Sequence, residues 1–484
     1  MPPTARPLHP RSFGRRLAAL AACTAALATT FISGFPDARA KRPVGAAAPA
    51  AIPHTFTPQP IDNIGGAYDP RRIVVKYAST SAFTARAARA PGSAAGEENA
   101  STTRLLRLPP GASLDATLAK LRREKHVVWA VPDYVAHATN LWIPNDPGPT
   151  GNTPGGWQQA QWNFDGQFGV NAPEAWSNVA ADGAPGGSKV VVAVLDTGVA
   201  YANRGAYRRS PDFSKYTFVQ GYDFIAHTPY ANDHNGHGTF VAGTIAETTN
   251  NHYGLTGLAY AARIMPVRVL DSSGEGDASV IAEGVRFAVK HHARVINLSL
   301  EFSSDVSASD IPELIEALRF AHRHRVLVVA AAGNEGSTTI PYPARAPHVI
   351  AVGATTEHGC LASYSNYGRA ITLVAPGGGP DASLPGDPNC NTELPTGRDI
   401  YQMTFTGSSP RVFGFPSGYE GTSMATPHVT ATAALVIAAG ILGRNPTPEQ
   451  ITARLKATAR KLGGPQDQSL YGAGLLDAGA ATAG

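Results

Sequence analysis

Cysteine is scarce in this chain, with three among 484 residues. Cys23 falls in an N-terminal apolar stretch, which leaves Cys360 and Cys390 as an even pair. If the protein is exported, a single Cys360–Cys390 bridge is the expectation. Neither of the two stands beside a histidine in a turn motif, which argues against a catalytic thiol. Long apolar runs are lacking too. The one stretch of note, 17–35, is short, interrupted by Thr and Gly, and closed by Pro36, so no stable membrane anchor is expected. Net charge is low, +4 overall, and it is unevenly spread. Residues 1–137 carry 18 Lys and Arg against 8 Asp and Glu, while the remainder carries 22 against 28. The positive excess belongs to the N-terminal part, so a nucleic-acid partner loses its main support.

What is present begins with the first forty residues. Arg6, Arg11, Arg15 and Arg16 precede the apolar stretch, and Ala38-Arg39-Ala40 follows it. A basic region, an apolar region and a small-x-small site form the pattern of a secretory signal peptide, residues 1–40, and imply a secreted, periplasmic or extracellular protein. Residues 41–68 are Pro/Ala-rich and read as a linker. Residues 69–137 read as a small α+β unit. It has a strand at 72–77, a helix at 113–125 with Leu114, Leu118 and Leu121 on one face, and a strand region at 126–135. Between them, 85–103 is Ala/Gly/Ser-rich and reads as a flexible excursion.

Residues 138–165 are rich in Pro, Gly and Asn. Beyond them, in 166–484, apolar strands alternate with helical patterns. Strands are expected at 189–195, 264–270, 295–300, 326–331, 349–353 and 371–375. Helices are expected at 238–247, 278–291, 312–325, 423–439 and 448–461. Fully apolar strands separated by helices imply an α/β fold, a three-layer parallel sheet flanked by helices on both faces. The last helix opens on Thr447-Pro448-Glu449-Gln450, a capping box with proline at the first helical position.

Three stretches carry candidate chemistry. VVVAVLDTGV sets Asp196 at the end of a strand, the edge where open α/β sheets place functional groups. HNGHGTFVAGTI opens a helix at His237. GTSMATPHV leads into a helix with Ser423 near its start, and Pro427 is expected in its first turn, where a missing N–H costs little. A serine hydroxyl is a poor nucleophile until an imidazole takes its proton, and a carboxylate fixes that imidazole's tautomer and charge. Ser423 would also stand at the positive end of a helix, where a developing oxyanion is stabilised. The chain order is Asp, His, Ser, with gaps of 41 and 186 residues.

These motifs in this order resemble the subtilisin-like serine proteases, the subtilases, over roughly residues 69–480. The resemblance implies a secreted serine endopeptidase with Ser423 as nucleophile, His237 as base and Asp196 as its orienter. In Ala330-Ala331-Ala332-Gly333-Asn334-Glu335-Gly336, it makes the Asn334 amide the second oxyanion donor. Substrate polypeptides would bind along Gly274, Ser299, Leu300 and Glu301 and along Ala332 and Gly333, with Pro341 at the base of the primary pocket. VPDYV at 131–135 resembles the end of the family's inhibitor propeptide. Residues 69–137 would then be an inhibitor and chaperone for the peptidase, 138–165 would hold the maturation cleavage and mature N-terminal segment, and 166–484 would be the peptidase domain. YGAGLLDAGAA resembles the end of that domain, and no accessory domain is expected after it. The protein is expected to be a monomer.

The resemblance also implies a structural calcium site in the loop Asn250-Asn251-His252-Tyr253-Gly254-Leu255. Its ligands would be the Asn251 side chain, the carbonyls of Thr249, Tyr253 and Leu255, and the Asp212 carboxylate. Asp146 or Gln161 would complete it. The sequence departs from the family in four places. Phe240 replaces a histidine that follows His237, Glu301 and Pro341 stand where glycine is common, and 377–418 is a long Gly/Pro-rich insertion. The departures at the cleft imply a reshaped primary pocket, with Glu301 favouring basic side chains. Met424 beside the nucleophile reads as an oxidation liability. Two rivals stand beside this reading: a catalytically silent binding protein on the same fold, and an exopeptidase whose cleft is blocked by the insertion. A lipase on the α/β-hydrolase fold would need G-x-S-x-G and the order Ser, acid, His, and this chain has neither.

Overall fold

The computed structural model describes residues 68–78, 102–109, 112–134, 141–151, 154–463 and 467–484. The expected signal segment, the linker up to 67, residues 85–101 of the excursion and residues 138–140 and 152–153 lie outside the described residues. The chain divides into two units, 1–136 and 137–484.

In the first unit, β1 (Tyr68–Tyr77), β2 (Thr103–Arg107), α1 (Leu114–Arg122) and β3 (Val127–Tyr134) follow in order. The three strands form an antiparallel sheet, β2-β1-β3. Alternation along β1 turns Ile73, Val75 and Tyr77 to one face, where they pack with Leu118 and Leu121 of α1. Ser113 caps the helix, accepting from the Ala116 N–H at 3.3 Å. β2 was not expected from the sequence. It is a five-residue strand at the edge of a low-complexity stretch, and only its pairing across β1 (Ile73 opposite Leu106) defines it.

The second unit is built on seven parallel strands in the order β10-β9-β8-β7-β4-β6-β5. These are β4 (Val191–Asp196), β5 (Tyr222–Asp223), β6 (Arg263–Arg268), β7 (Val295–Leu298), β8 (Leu327–Ala331), β9 (Val349–Thr355) and β10 (Leu373–Pro376). The helices used below are α2 (Ala172–Ala181), α3 (His237–Ala246), α4 (Ala278–Lys290), α5 (Pro312–Arg323), α6 (Thr422–Ala439), α7 (Pro448–Thr458) and α8 (Ala478–Thr482). With side chains alternating between two covered faces, the middle of the long strands is apolar at successive positions. Val192, Val194, Ile264 and Val329 join α2, α3 and α6 on one face. Ala193, Leu195, Met265 and Val328 join α4 and α5 on the other. A fully buried Val, Leu or Ile contributes about 1.5–3 kcal/mol relative to exposure. With both faces covered, these contacts add over the whole sheet, and the expected three-layer fold is the one found.

α6 is buried all round, fifteen of its eighteen residues, with its threonine hydroxyls bonded internally, so it runs through the interior. β4 lies between β6 and β7. The chain winds to one side through β6 and β5, and to the other through β7 to β10. That reversal opens a crevice at the carboxyl ends of β4 and β7. Asp196 is the last residue of β4, and Ser299 and Leu300 directly follow β7. The 377–418 insertion contains a short antiparallel pair, β11 (Thr404–Phe405) with β12 (Phe413–Gly414). It is tied down by the Cys360–Cys390 disulfide, S–S 2.05 Å. Tyr342–Pro343 is a cis peptide.

Candidate active site

Asp196 is 0% exposed, and its Oδ1 accepts from the His237 Nδ1 at 2.7 Å and the Thr197 N–H at 2.7 Å. His237 is the first residue of α3 and remains a quarter exposed. Burial pulls its pKa down, but the Asp196 charge, the hydrogen bond to it and the Asp233 charge outweigh this, and the net shift is upward.

Asp233 was missed at the sequence level. Its Oδ1 accepts from the Thr197 hydroxyl and the N–H groups of Asn235 and Gly236, and its Oδ2 from the Thr239 N–H and hydroxyl. The buried carboxylate thus ties the turn after β4 to the start of α3, fixing both members of the Asp196–His237 pair. The only signal for it was an acidic residue four positions before the helix, with Thr239 in the first turn.

Ser423 is the second residue of α6. Pro427 is the sixth, beyond the first turn, which corrects the expectation that its missing N–H would fall among the free amides. The helical partner that it fails to supply is that of the Ser423 carbonyl. Ser299 Oγ donates to that carbonyl at 2.8 Å, and Ser423 Oγ donates to the Ser299 carbonyl at 3.2 Å. Ahead of the helix, Gly421 has φ +148°, a conformation that side-chain-bearing residues rarely adopt.

Asn334 follows β8. Its Oδ1 accepts from the Thr422 N–H at 2.8 Å and the Thr422 hydroxyl at 3.0 Å, so the amide nitrogen is the end left to face the Glu301 carboxylate. Gly333, at φ +101°, is needed because a Cβ there would meet Asn366 Nδ2 at 2.2 Å and Glu301 Oε2 at 2.3 Å. Glu301 therefore crosses from the end of β7 toward the Gly333–Asn334 segment. Burial raises its pKa, as does the Glu335 charge, and the Asn334 amides oppose them, leaving it at about 7. A cavity of about 520 Å³ is lined by His237, Gly274, Ser299, Leu300 and Glu301 among others. Ala332, Gly333 and the buried Pro341 stand outside its lining.

Phe240 stacks on Tyr419, with ring centroids 4.2 Å apart, in a cluster with Trp162, Ile400 and Met424. Met424 is only 3% exposed, which limits the access an oxidant needs. The insertion reaches this region, since the Thr404 hydroxyl donates to the carbonyl of Gly236, the residue before His237.

The calcium-loop candidates also gather. Asp212 accepts from Asn251 Nδ2 at 2.8 Å and the Leu255 N–H at 3.0 Å. Asp146 accepts from the N–H groups of Asn250 and Asn251 at 2.7 and 3.0 Å. Gln161 spends both ends of its amide on the Thr256 backbone. Thr249, Tyr253 and Leu255 lie on the same loop. Burial, aided by the Asp146 charge and opposed by the bonds from Asn251 and Leu255, pushes Asp212 up to about 8. Glu247 is raised by burial and by the charges of Asp212 and Asp146, and the Met403 N–H opposes this. Closely placed buried carboxylates with raised pKa values, beside loop carbonyls, are a donor set that fits a hard divalent cation.

The sequence model of the subtilase family, Peptidase_S8, matches residues 187–474. Subtilisin Savinase of Lederbergia lenta is 40% identical over 298 residues, which is 61% of this chain and 91% of that protein. The thermophilic serine proteinase of Bacillus sp. strain AK1 is 32% identical over 422 residues, 87% of this chain and 90% of that protein. Among solved structures, a protease from Pseudoalteromonas arctica superposes with a TM-score of 0.56 at 32% identity, covering 70% of this chain and 99% of that one.

Proposed function

The chain belongs to the subtilase family and is a serine endopeptidase, and from that premise we propose that Asp196, His237 and Ser423 are its catalytic triad. The observation that carries this reading is the 2.7 Å bond from His237 Nδ1 to the buried Asp196. It fixes the tautomer that leaves Nε2 free to accept a proton. Ser423 Oγ attacks the peptide carbonyl as His237 takes its proton, and the imidazolium is stabilised by Asp196. The oxyanion is held by the Ser423 N–H and by Asn334 Nδ2, whose orientation the bonds from Thr422 support. His237 then protonates the leaving amine, and water hydrolyses the acyl-enzyme by the reverse sequence.

The substrate is a polypeptide that binds extended between the segments around Gly274, Ser299 and Leu300 and around Ala332 and Gly333. Glu301 and Pro341 shape the primary pocket. Asp212, Asn251 and the carbonyls of Thr249, Tyr253 and Leu255 would hold calcium. Asp146 rather than Gln161 completes the set, because Gln161 is committed to Thr256. When bound, the ion would supply fixed positive charge between the loop after α3 and Asp146 of the mature N-terminal segment, whose carboxylate already accepts from Asn250 and Asn251. Residues 1–40 direct secretion, 41–68 link, 69–137 inhibit and assist folding, and 138–165 contain the autoprocessing bond ahead of the peptidase domain, 166–484, which acts as a monomer. Among the described residues, no helix is long and apolar enough to cross a membrane.

Fluorophosphonate labelling tests the core of this reading. The protein should label at Ser423, and Ser423→Ala should neither label nor mature. A mutant that matures and cleaves normally would overturn the triad.

A further inference from the structure

Behind the calcium loop, a set of oxygen atoms is buried without well-formed hydrogen bonds. Glu247 follows α3, is 0% exposed, and neither carboxylate oxygen accepts a well-formed hydrogen bond, the Met403 N–H being the one donor that acts on it. Gln402 Oε1 and Thr256 Oγ1 are buried and unpartnered. These groups are neighbours. A Cβ placed on Gly243 would lie 3.6 Å from Glu247 Oε1 and 3.7 Å from Gln402 Cδ. Gln402 Nε2 donates to the Thr256 carbonyl at 3.0 Å, which commits the amide nitrogen and leaves its oxygen over. Gln161 holds the same carbonyl at 2.9 Å.

An ionised carboxylate buried without a partner is strongly disfavoured. The charged groups that act on Glu247, Asp212 and Asp146, are both negative and make this worse. A carboxylate, an amide oxygen and a hydroxyl form the ligand set of a hard cation rather than a soft transition metal. When ionised as ligands to a cation, Asp146, Asp212 and Glu247 would carry three negative charges, of which one calcium ion balances two.

We propose that Glu247, Gln402 Oε1 and Thr256 Oγ1 form a second, buried subsite for a monovalent hard cation of the sodium class. The single charge rests on the calcium reading of Asp212 and Asp146, whereas the oxygen cluster does not. The ion joins the end of α3, the helix that begins with His237, to the 377–418 insertion that carries Gln402. In this way a cation remote from the cleft helps to fix the helix that presents the catalytic base.

The test is thermal melting of the full chain in the Ser423→Ala background, which suppresses autolysis. Calcium is held saturating, and sodium chloride is compared with tetramethylammonium chloride at equal ionic strength. Sodium should raise the midpoint by about 2–4 °C, as expected for roughly 1 kcal/mol of ligand binding in a domain of this size. Glu247→Gln should abolish the difference and Thr256→Val should shrink it. A parent protein indifferent to sodium, or a Glu247→Gln variant with the parent's response, overturns the proposal. If Glu247→Gln does not fold, an undiminished response in Thr256→Val does the same. Failure of the calcium reading shows separately, as melting of the parent and of Asp212→Asn that chelator does not change.

Discussion

Ser423 and Ser299 are bonded to each other twice, through Ser299 Oγ to the Ser423 carbonyl at 2.8 Å and Ser423 Oγ to the Ser299 carbonyl at 3.2 Å. The first bond replaces the helical one that Pro427 cannot make. It clamps the start of α6 to the end of β7, so the nucleophile and one edge of the substrate cleft are set by the same contact. Ser299→Ala removes one partner and leaves a polar carbonyl unsatisfied at a cost of about 1–3 kcal/mol. The expected result is a lower melting temperature together with a fall in kcat of about tenfold. Both are read in one preparation, and a variant with unchanged kcat would show that the clamp does not position Ser423.

His237 gives the acid limb of the pH profile. Catalysis needs the neutral imidazole, and the Asp196 and Asp233 charges favour the charged one despite burial. kcat/KM should therefore rise with pH through a value above 6.5, the ordinary histidine value. Asp196→Asn should move that limb to lower pH and reduce kcat by about 10⁴, the loss measured for the same change in other serine proteases. For stability the sign is opposite. A raised histidine pKa contributes stability that is present below the unfolded value and lost as pH rises through the folded one.

Asp212 predicts how calcium and pH interact. Its carboxyl is raised to about 8 by burial and by Asp146. Between the unfolded value of about 3.9 and that point, the folded state keeps a proton that the unfolded chain has lost. Stability in chelator should therefore fall as pH rises across this window. Calcium binds the ionised carboxylate, so its affinity should grow over the same range. Calorimetry with chelator and with calcium at pH 6 and pH 8 measures both trends. Equal calcium affinity at the two values would exclude Asp212 as a ligand.

The disulfide closes a loop of 30 residues, for which chain entropy gives about 3–4 kcal/mol. Replacing both Cys360 and Cys390 by serine should lower stability by up to that amount. Mobility of the 377–418 insertion should increase, seen as faster amide exchange around β11 and β12.

Glu301 predicts specificity. Its carboxyl ionises near 7 and faces the Gly333–Asn334 segment from the end of β7. Peptides with Lys or Arg at the cleaved position should gain on neutral ones as pH rises from 6 to 8. The titration of His237 affects both substrates alike and cancels in the ratio. Glu301→Gly should remove the gain, and a cleavage profile unchanged by that substitution would leave Glu301 without a role in selection.

Much of this molecule was legible in the chain. Apolar strands separated by amphipathic helices implied a parallel sheet covered on both faces, because no other arrangement buries every residue of such strands. The Asp196, His237 and Ser423 motifs stood at strand ends and helix starts, where local turn chemistry forces particular residues. β2 was not legible, because its pairing lies across a stretch without periodicity. Asp233 was not, because its importance is a matter of five hydrogen bonds that form only after the turn and helix have folded around it. Pro427 was misread by a few positions, since helix starts are set by caps and contacts more than by composition.

The sequence by itself determined six of the seven strands of the sheet, its main helices other than α2 and α8, and the identities of the candidate nucleophile, base and orienter, because periodicity and turn preference are local properties. The tertiary structure alone decided what surrounds them. It brought Ser299 against Ser423, turned Glu301 across to Gly333 and gathered Glu247, Gln402 and Thr256 behind the calcium loop. These are contacts between residues far apart in the chain, and no local signal encodes which distant partner a buried polar group will meet.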